Sequence, residues 1–163
     1  MLMNTSALPI TLIVASSLLI GCQSTSEKET VAINFNNFDM MSNCALPNVN
    51  EAGPINETLF VVGTFSDWKH IPEREYNYKG DNLYQVVTNE TAGNYKMQFA
   101  TSNWSPQFTA DERTMVVGKE RALKFGGYGK DTQVELLESG QYVWSMKFDE
   151  TGKPFSVMVA KCQ

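Results

Sequence analysis

Trp68 stands at the end of Gly63-Thr64-Phe65-Ser66-Asp67-Trp68, directly after the apolar run Leu59-Phe60-Val61-Val62. A buried indole normally falls inside a periodic apolar pattern and finds a partner for its N–H. This one follows Ser and Asp and precedes Lys69 and His70. Two roles suit a ring in such a place: a lid folded back over the core, or a flat face offered to a ligand. Trp104, set among Asn103, Ser105 and Pro106, presents the same alternative. Tyr76, Tyr78 and Tyr128 are further aromatic candidates, with covering the core as their ordinary role.

The elements that must position these rings read as β throughout. Residues 59–65 form an apolar strand and 83–88 another, while Tyr95-Lys96-Met97-Gln98-Phe99 alternates strictly. That alternation points Tyr95, Met97 and Phe99 inward, with Lys96 and Gln98 on the opposite, outward face. Strands continue at 114–117, 122–125, 132–137, 142–148 and 155–159. In the longest of these, Tyr142, Trp144, Met146 and Phe148 share a face, which makes Trp144 a core residue. Turn signals fall at 79–82, 92–94, 125–129 and 139–140, and 149–154 reads as a hairpin loop. Nothing in this stretch has the length or caps of a long helix. Seven or eight short strands with regular turns predict an antiparallel β-sandwich.

The N-terminal part is organised differently. Residues 7–20 are apolar and uncharged, shorter than the roughly 18 to 20 residues that a spanning helix needs, so 1–21 reads as a secretory signal. The tetrad Leu19-Ile20-Gly21-Cys22 resembles the bacterial lipobox, which implies lipidation of the Cys22 thiol and a mature chain beginning there. Residues 1–6 carry no Lys or Arg, so ordinary secretion with a free Cys22 is the alternative. Gln23 in place of Asp implies an outer-membrane address within the bacterial envelope. The polar stretch 22–43 has no sustained period and reads as a lipid-anchored flexible tether, with a short strand at 31–35. With Cys22 acylated, Cys44 and Cys162 remain as an even pair in an oxidising compartment, which predicts a disulfide bracketing a domain over 44–163. Two unpaired buried thiols are the alternative.

Three features then stand together in order: the strand ending in Gly63-Thr64-Phe65-Ser66-Asp67-Trp68, the turn Lys79-Gly80-Asp81-Asn82 leading to Leu83-Tyr84, and Ala92-Gly93-Asn94-Tyr95 opening a strand that ends near Asn103-Trp104-Ser105. The set resembles the immunoglobulin-like starch- and glycogen-binding modules found beside pullulanases and branching enzymes, over about residues 59–104. The resemblance implies an immunoglobulin-like sandwich whose two Trp rings stack on successive glucose units of an α-glucan, while a strand Lys and a loop Asn bond sugar hydroxyls. Carried over, the stacking pair is Trp68 and Trp104. The Lys position falls on Gln98, with Lys96 one step earlier on the same face, and the loop Asn falls among Lys130, Asp131 and Thr132. Gln98 and Ser66 depart from the family's usual Lys and Asn.

A pyranose has an apolar face of C–H groups and a rim of hydroxyls, so a ring beneath it and a few polar side chains at its edge suit it. The resemblance thus implies α-glucan as the partner and an amylolytic enzyme as a separate one, alongside the expected lipid anchor in the membrane and no cofactor. A net charge of −5 without a Lys/Arg cluster argues against nucleic acid. Catalysis has little support. Glycoside hydrolysis usually uses two carboxylates flanking a bond in a deep cleft. Glu73, Glu75, Asp111 and Glu112 are candidates only because eighteen acids make some pair inevitable. His70 is the single His and reads as a solvated turn residue, and no His/Cys cluster suggests a metal site. The competing expectation is an envelope lipoprotein that binds or inhibits another protein through the sandwich. The position of Trp68 and Trp104, on one surface or on opposite sides of the core, separates the two.

Overall fold

The structure, a computed structural model, describes residues 37–163. The signal segment 1–21, Cys22 and the strand expected at 31–35 lie outside the described residues. A short helix α1 (Asn37–Ser42) is followed by ten strands: β1 (Leu59–Gly63), β2 (Asn77–Tyr78), β3 (Leu83–Glu90), β4 (Gly93–Thr101), β5 (Gln107–Ala110), β6 (Thr114–Met115), β7 (Arg121–Phe125), β8 (Thr132–Leu136), β9 (Gly140–Phe148) and β10 (Pro154–Lys161). The expected antiparallel sandwich forms, with β2 and β5 added to the strands legible in the sequence.

One layer holds β2, β3, β9 and β10, and the other β1, β4, β5, β8 and β6. Strand β7 joins them, pairing with β10 through Arg121 and Ala122 and with β5 through Leu123, Lys124 and Phe125. Every pairing is antiparallel except that of β6 with β8. Period-two alternation fills the space between the layers. Tyr142, Trp144, Met146 and Phe148 of β9 meet Leu59, Val61, Met97 and Phe99 of β1 and β4 there, and Trp144 is fully buried.

Strands β9 and β10 bury side chains on both faces, and the second face is covered by α1. Met41 is fully buried against Leu83, Val143, Met158 and Ala160. Its carbonyl accepts hydrogen bonds from Ser145 Oγ at 2.5 Å and Gln85 Nε2 at 3.4 Å. The tether expected over 22–43 therefore does not reach Cys44, because residues 37–42 are part of the packed domain. Cys44 and Cys162 form a disulfide that fastens the end of this segment to the end of β10.

The loop between β9 and β10 is the expected hairpin, closed by Asp149 N–H to the Lys153 carbonyl at 2.9 Å. The Asp149 carboxylate accepts from Thr151 Oγ at 2.7 Å, Thr151 N–H at 2.8 Å and Lys153 N–H at 2.9 Å. The Thr151 hydroxyl, then the Lys153 amide, hold its carboxyl below the usual carboxylate range. A carboxyl depressed in the folded state contributes stability that is present above its unfolded pKa and lost as pH falls through the folded one. We expect the Asp149 side-chain carbon to titrate, by NMR, below an ordinary Asp and to move upward in Thr151→Ala. A midpoint at the ordinary value in the parent would remove this account of the loop.

Candidate carbohydrate-binding groove

The turn that carries Trp68 is built on a close approach. Gly63 lies opposite Met97, and a Cβ at this position would meet the Lys96 carbonyl at 2.4 Å and Met97 Cβ at 2.8 Å. The chain then forms a single 3-10 turn over Thr64–Ser66, and Trp68 N–H donates back to the Gly63 carbonyl at 2.9 Å. Asp67 and Trp68 both adopt left-handed backbone, with φ of 50° and 59°. Two successive non-glycine residues in that region require a surrounding structure that holds them.

Phe65 supplies the hold. Its ring packs against Tyr95 and Trp144, with centroids 5.6 and 5.9 Å away, and the Arg74 guanidinium carbon lies 3.7 Å above its centroid. Arg74 makes a two-pronged ion pair with Glu90, Nη1 to Oε1 at 2.8 Å and Nη2 to Oε2 at 3.0 Å, both side chains being buried. Thr88 Oγ donates to Glu90 Oε1 at 2.5 Å and accepts from Trp144 Nε1 at 2.8 Å. A continuous polar chain thus runs from the core indole to the underside of the Trp68 turn. With Phe65 turned inward, Trp68 is left half-buried and faces outward.

Trp104 sits in the turn between β4 and β5, also left-handed at φ 66°. Its N–H donates to the Thr101 carbonyl at 2.9 Å, and its carbonyl accepts from Gln107 Nε2 at 2.7 Å. The indole packs on Phe60, Val62 and Ala100, the outward side chains of β1 and β4. His70, expected in solvent, instead stands edge-on between Trp104 and Phe60, with centroids 4.6 and 5.0 Å away. Its Nε2 is buried without a partner. Sequence reasoning missed this residue because the two rings that it bridges lie far from it along the chain.

Trp68, Trp104 and Tyr128 line one groove of about 590 Å³ over the outer face of β1 and β4, with Gln98, Gln107 and Asp131 at its polar positions. The size is that of an ordinary small-ligand site. Gln98 occupies the outward register position expected for it, opposite Val62, but it is only 3% exposed because the 126–131 loop covers it. Its Nε2 donates to Asp131 Oδ1 at 2.8 Å and to the Gly127 carbonyl at 3.0 Å. Both partners are acceptors, which fixes the orientation of the amide. Gln98 Oε1 is left buried and unpartnered, a condition that costs about 1–3 kcal/mol unless a ligand or solvent supplies a donor.

The other candidates lie elsewhere. Lys96 is exposed and lines a separate shallow pocket with Asn94, Thr114 and Gln133, so the structure does not bring it to the Trp pair. Thr132 is fully buried and bonds Thr109 Oγ and the Ala110 amide. Tyr76 and Tyr78 pack with the core, and burial pushes the Tyr76 hydroxyl pKa well up. Asp111 is tied to Lys124 at 2.6 Å. Asp131 is the carboxylate among the groove's lining residues.

No family model matches the chain, and no curated protein matches it. Among solved structures it is similar to one described as "Ligand induced structure of AmyP-SBD", with 43% identity and a TM-score of 0.61, over 98% of this chain and 97% of that one.

Proposed function

The chain belongs to the same family as AmyP-SBD, a starch-binding domain, and from that premise we propose that it binds α-glucan, without catalysis, in the groove between Trp68 and Trp104. The observation that carries the reading is the presence of both half-buried indoles on one groove that an amide and a carboxylate also line. Flat rings take the apolar C–H faces of glucose, and the Asp131 oxygen that Gln98 does not bond accepts from a hydroxyl. The likeness to a starch-binding domain supports binding rather than hydrolysis. The finer reading places the protein at the bacterial outer membrane. It is supported by Leu19-Ile20-Gly21-Cys22, from which an acylated Cys22 would anchor the domain and concentrate polymer for a separate amylolytic enzyme.

Affinity electrophoresis of the full chain in gels containing glycogen or amylopectin tests the binding. The parent should be retarded, and Trp68→Ala and Trp104→Ala should each weaken retention about tenfold or more, equivalent to about 1.4 kcal/mol. Because Trp104 also packs on Phe60 and Val62, the near-ultraviolet circular dichroism of each variant should be compared with the parent. A parent that migrates as in a plain gel would remove the glucan reading and turn the search to protein partners.

A further inference from the structure

The groove has a third ring that the two indoles leave unexplained. Tyr128 is 102% exposed, yet it belongs to the groove wall with Trp68 and Trp104. It stands second in a tight turn in which Lys130 N–H donates to the Gly127 carbonyl at 3.0 Å. The third position, Gly129, has φ 74°, which a side chain would strain, and a Cβ there would meet nothing within 4 Å. Backbone conformation, rather than space, asks for glycine here. The turn is therefore shaped to lift one aromatic ring off the protein surface. Burial against the core plays no part in its position.

The same turn is pinned at both ends by one side chain. The two Nε2 hydrogens of Gln98 go to the carbonyl of Gly127, where the turn begins, and to the carboxylate of Asp131, just beyond its end. Gln98 spends both donors on the loop, and its Oε1 is buried beneath it.

We propose that Tyr128 is a third sugar-contacting ring of this groove, and that Gln98 is the positioning residue of its turn. The inference rests on the glucan reading above and narrows it. The ligand is a chain long enough to touch the Tyr128 rim as well as the indole pair. A tyrosine suits the rim because its ring meets a pyranose face while its hydroxyl remains in water.

Isothermal titration calorimetry of the full chain with maltoheptaose tests this with Tyr128→Ala, Tyr128→Phe, Gln98→Met and the Tyr128→Ala/Gln98→Met pair. Tyr128→Ala should weaken binding about tenfold, and Tyr128→Phe, which keeps the ring, should recover most of the loss. Gln98→Met should weaken it severalfold by releasing the turn. The double variant should lose less than the product of the two single losses, because Gln98 acts partly through the turn that carries Tyr128. Tyr128 makes no core contact, so its variants keep the test valid even where Gln98→Met folds poorly. If the parent binds and Tyr128→Ala binds equally well, the third ring is refuted while the glucan reading stands. If the parent itself fails to bind, both fall together.

Discussion

Replacing Arg74 by alanine is expected to lower the free energy of unfolding by about 3–5 kcal/mol, read from urea denaturation as a shifted midpoint at unchanged slope. The size follows from what is left behind. Glu90 is 5% exposed, and without Arg74 its charge remains in the interior with Thr88 as its recorded hydrogen-bond partner. Removing Glu90 instead strands the guanidinium over Phe65 and should cost a similar amount. Replacing both together, as Arg74→Met with Glu90→Leu, should return most of the loss, because a buried ion pair exchanged for apolar groups of similar volume is often close to neutral. The pair also serves the groove: Arg74 lies on the face of Phe65, and Phe65 anchors the turn that presents Trp68. Arg74→Ala should therefore weaken glycogen retention even under conditions where the variant is folded. A single-variant loss below about 1 kcal/mol would mean that water already reaches the pair and that the turn is held by other contacts.

What could be read in the sequence, and what could not, divides along a physical line. Strands β3, β4, β9 and β10 were legible because one face of each meets a continuous core, so apolar side chains recur at every second position. The opposite faces were harder. Gln98 was assigned to the outward face correctly, yet alternation says nothing about a loop folding over that face, and the residue became buried and bonded. Helix α1 was lost in a polar stretch where Met40 and Met41 looked like scattered apolar residues. The missing signal lay in the strands they cover: Val143 and Met158 break the apolar–polar alternation of β9 and β10, and a strand apolar on both sides requires a second covering layer. Strand β5, four residues after a turn, was too short for any period to show. The site followed the same rule. Gly63, Phe65 and Trp68 form a local unit whose spacing is its geometry, so the turn could be named from its letters, whereas His70 beneath Trp104 and Gln98 beneath Tyr128 depend on contacts between distant segments.

Removal of the disulfide, by Cys44→Ser together with Cys162→Ser, is the second large loss expected. The bond closes a loop of 118 residues, for which the chain-entropy model gives about 4–5 kcal/mol, an upper figure when the unfolded chain is compact. The native contacts at this end set how the loss is expressed. Met41 is fully buried among Leu83, Val143, Met158 and Ala160, and its carbonyl accepts from Ser145 and Gln85. These contacts do not require the Cys44–Cys162 bond, so α1 should remain docked in the double variant while the whole domain unfolds at lower urea. Hydrogen exchange distinguishes this from local release. If the constraint acts on the unfolded chain, the slowest amides of β9 and β10 should lose protection by an amount equal to the change in global stability. If instead the amides of Ser42 and Cys44 exchange freely while β9 keeps the parent's protection, the disulfide is a local clasp for α1, and the loop-closure account is wrong. The groove lies on the other sheet, across the core from this clasp, so glycogen retention by the folded double variant should match the parent.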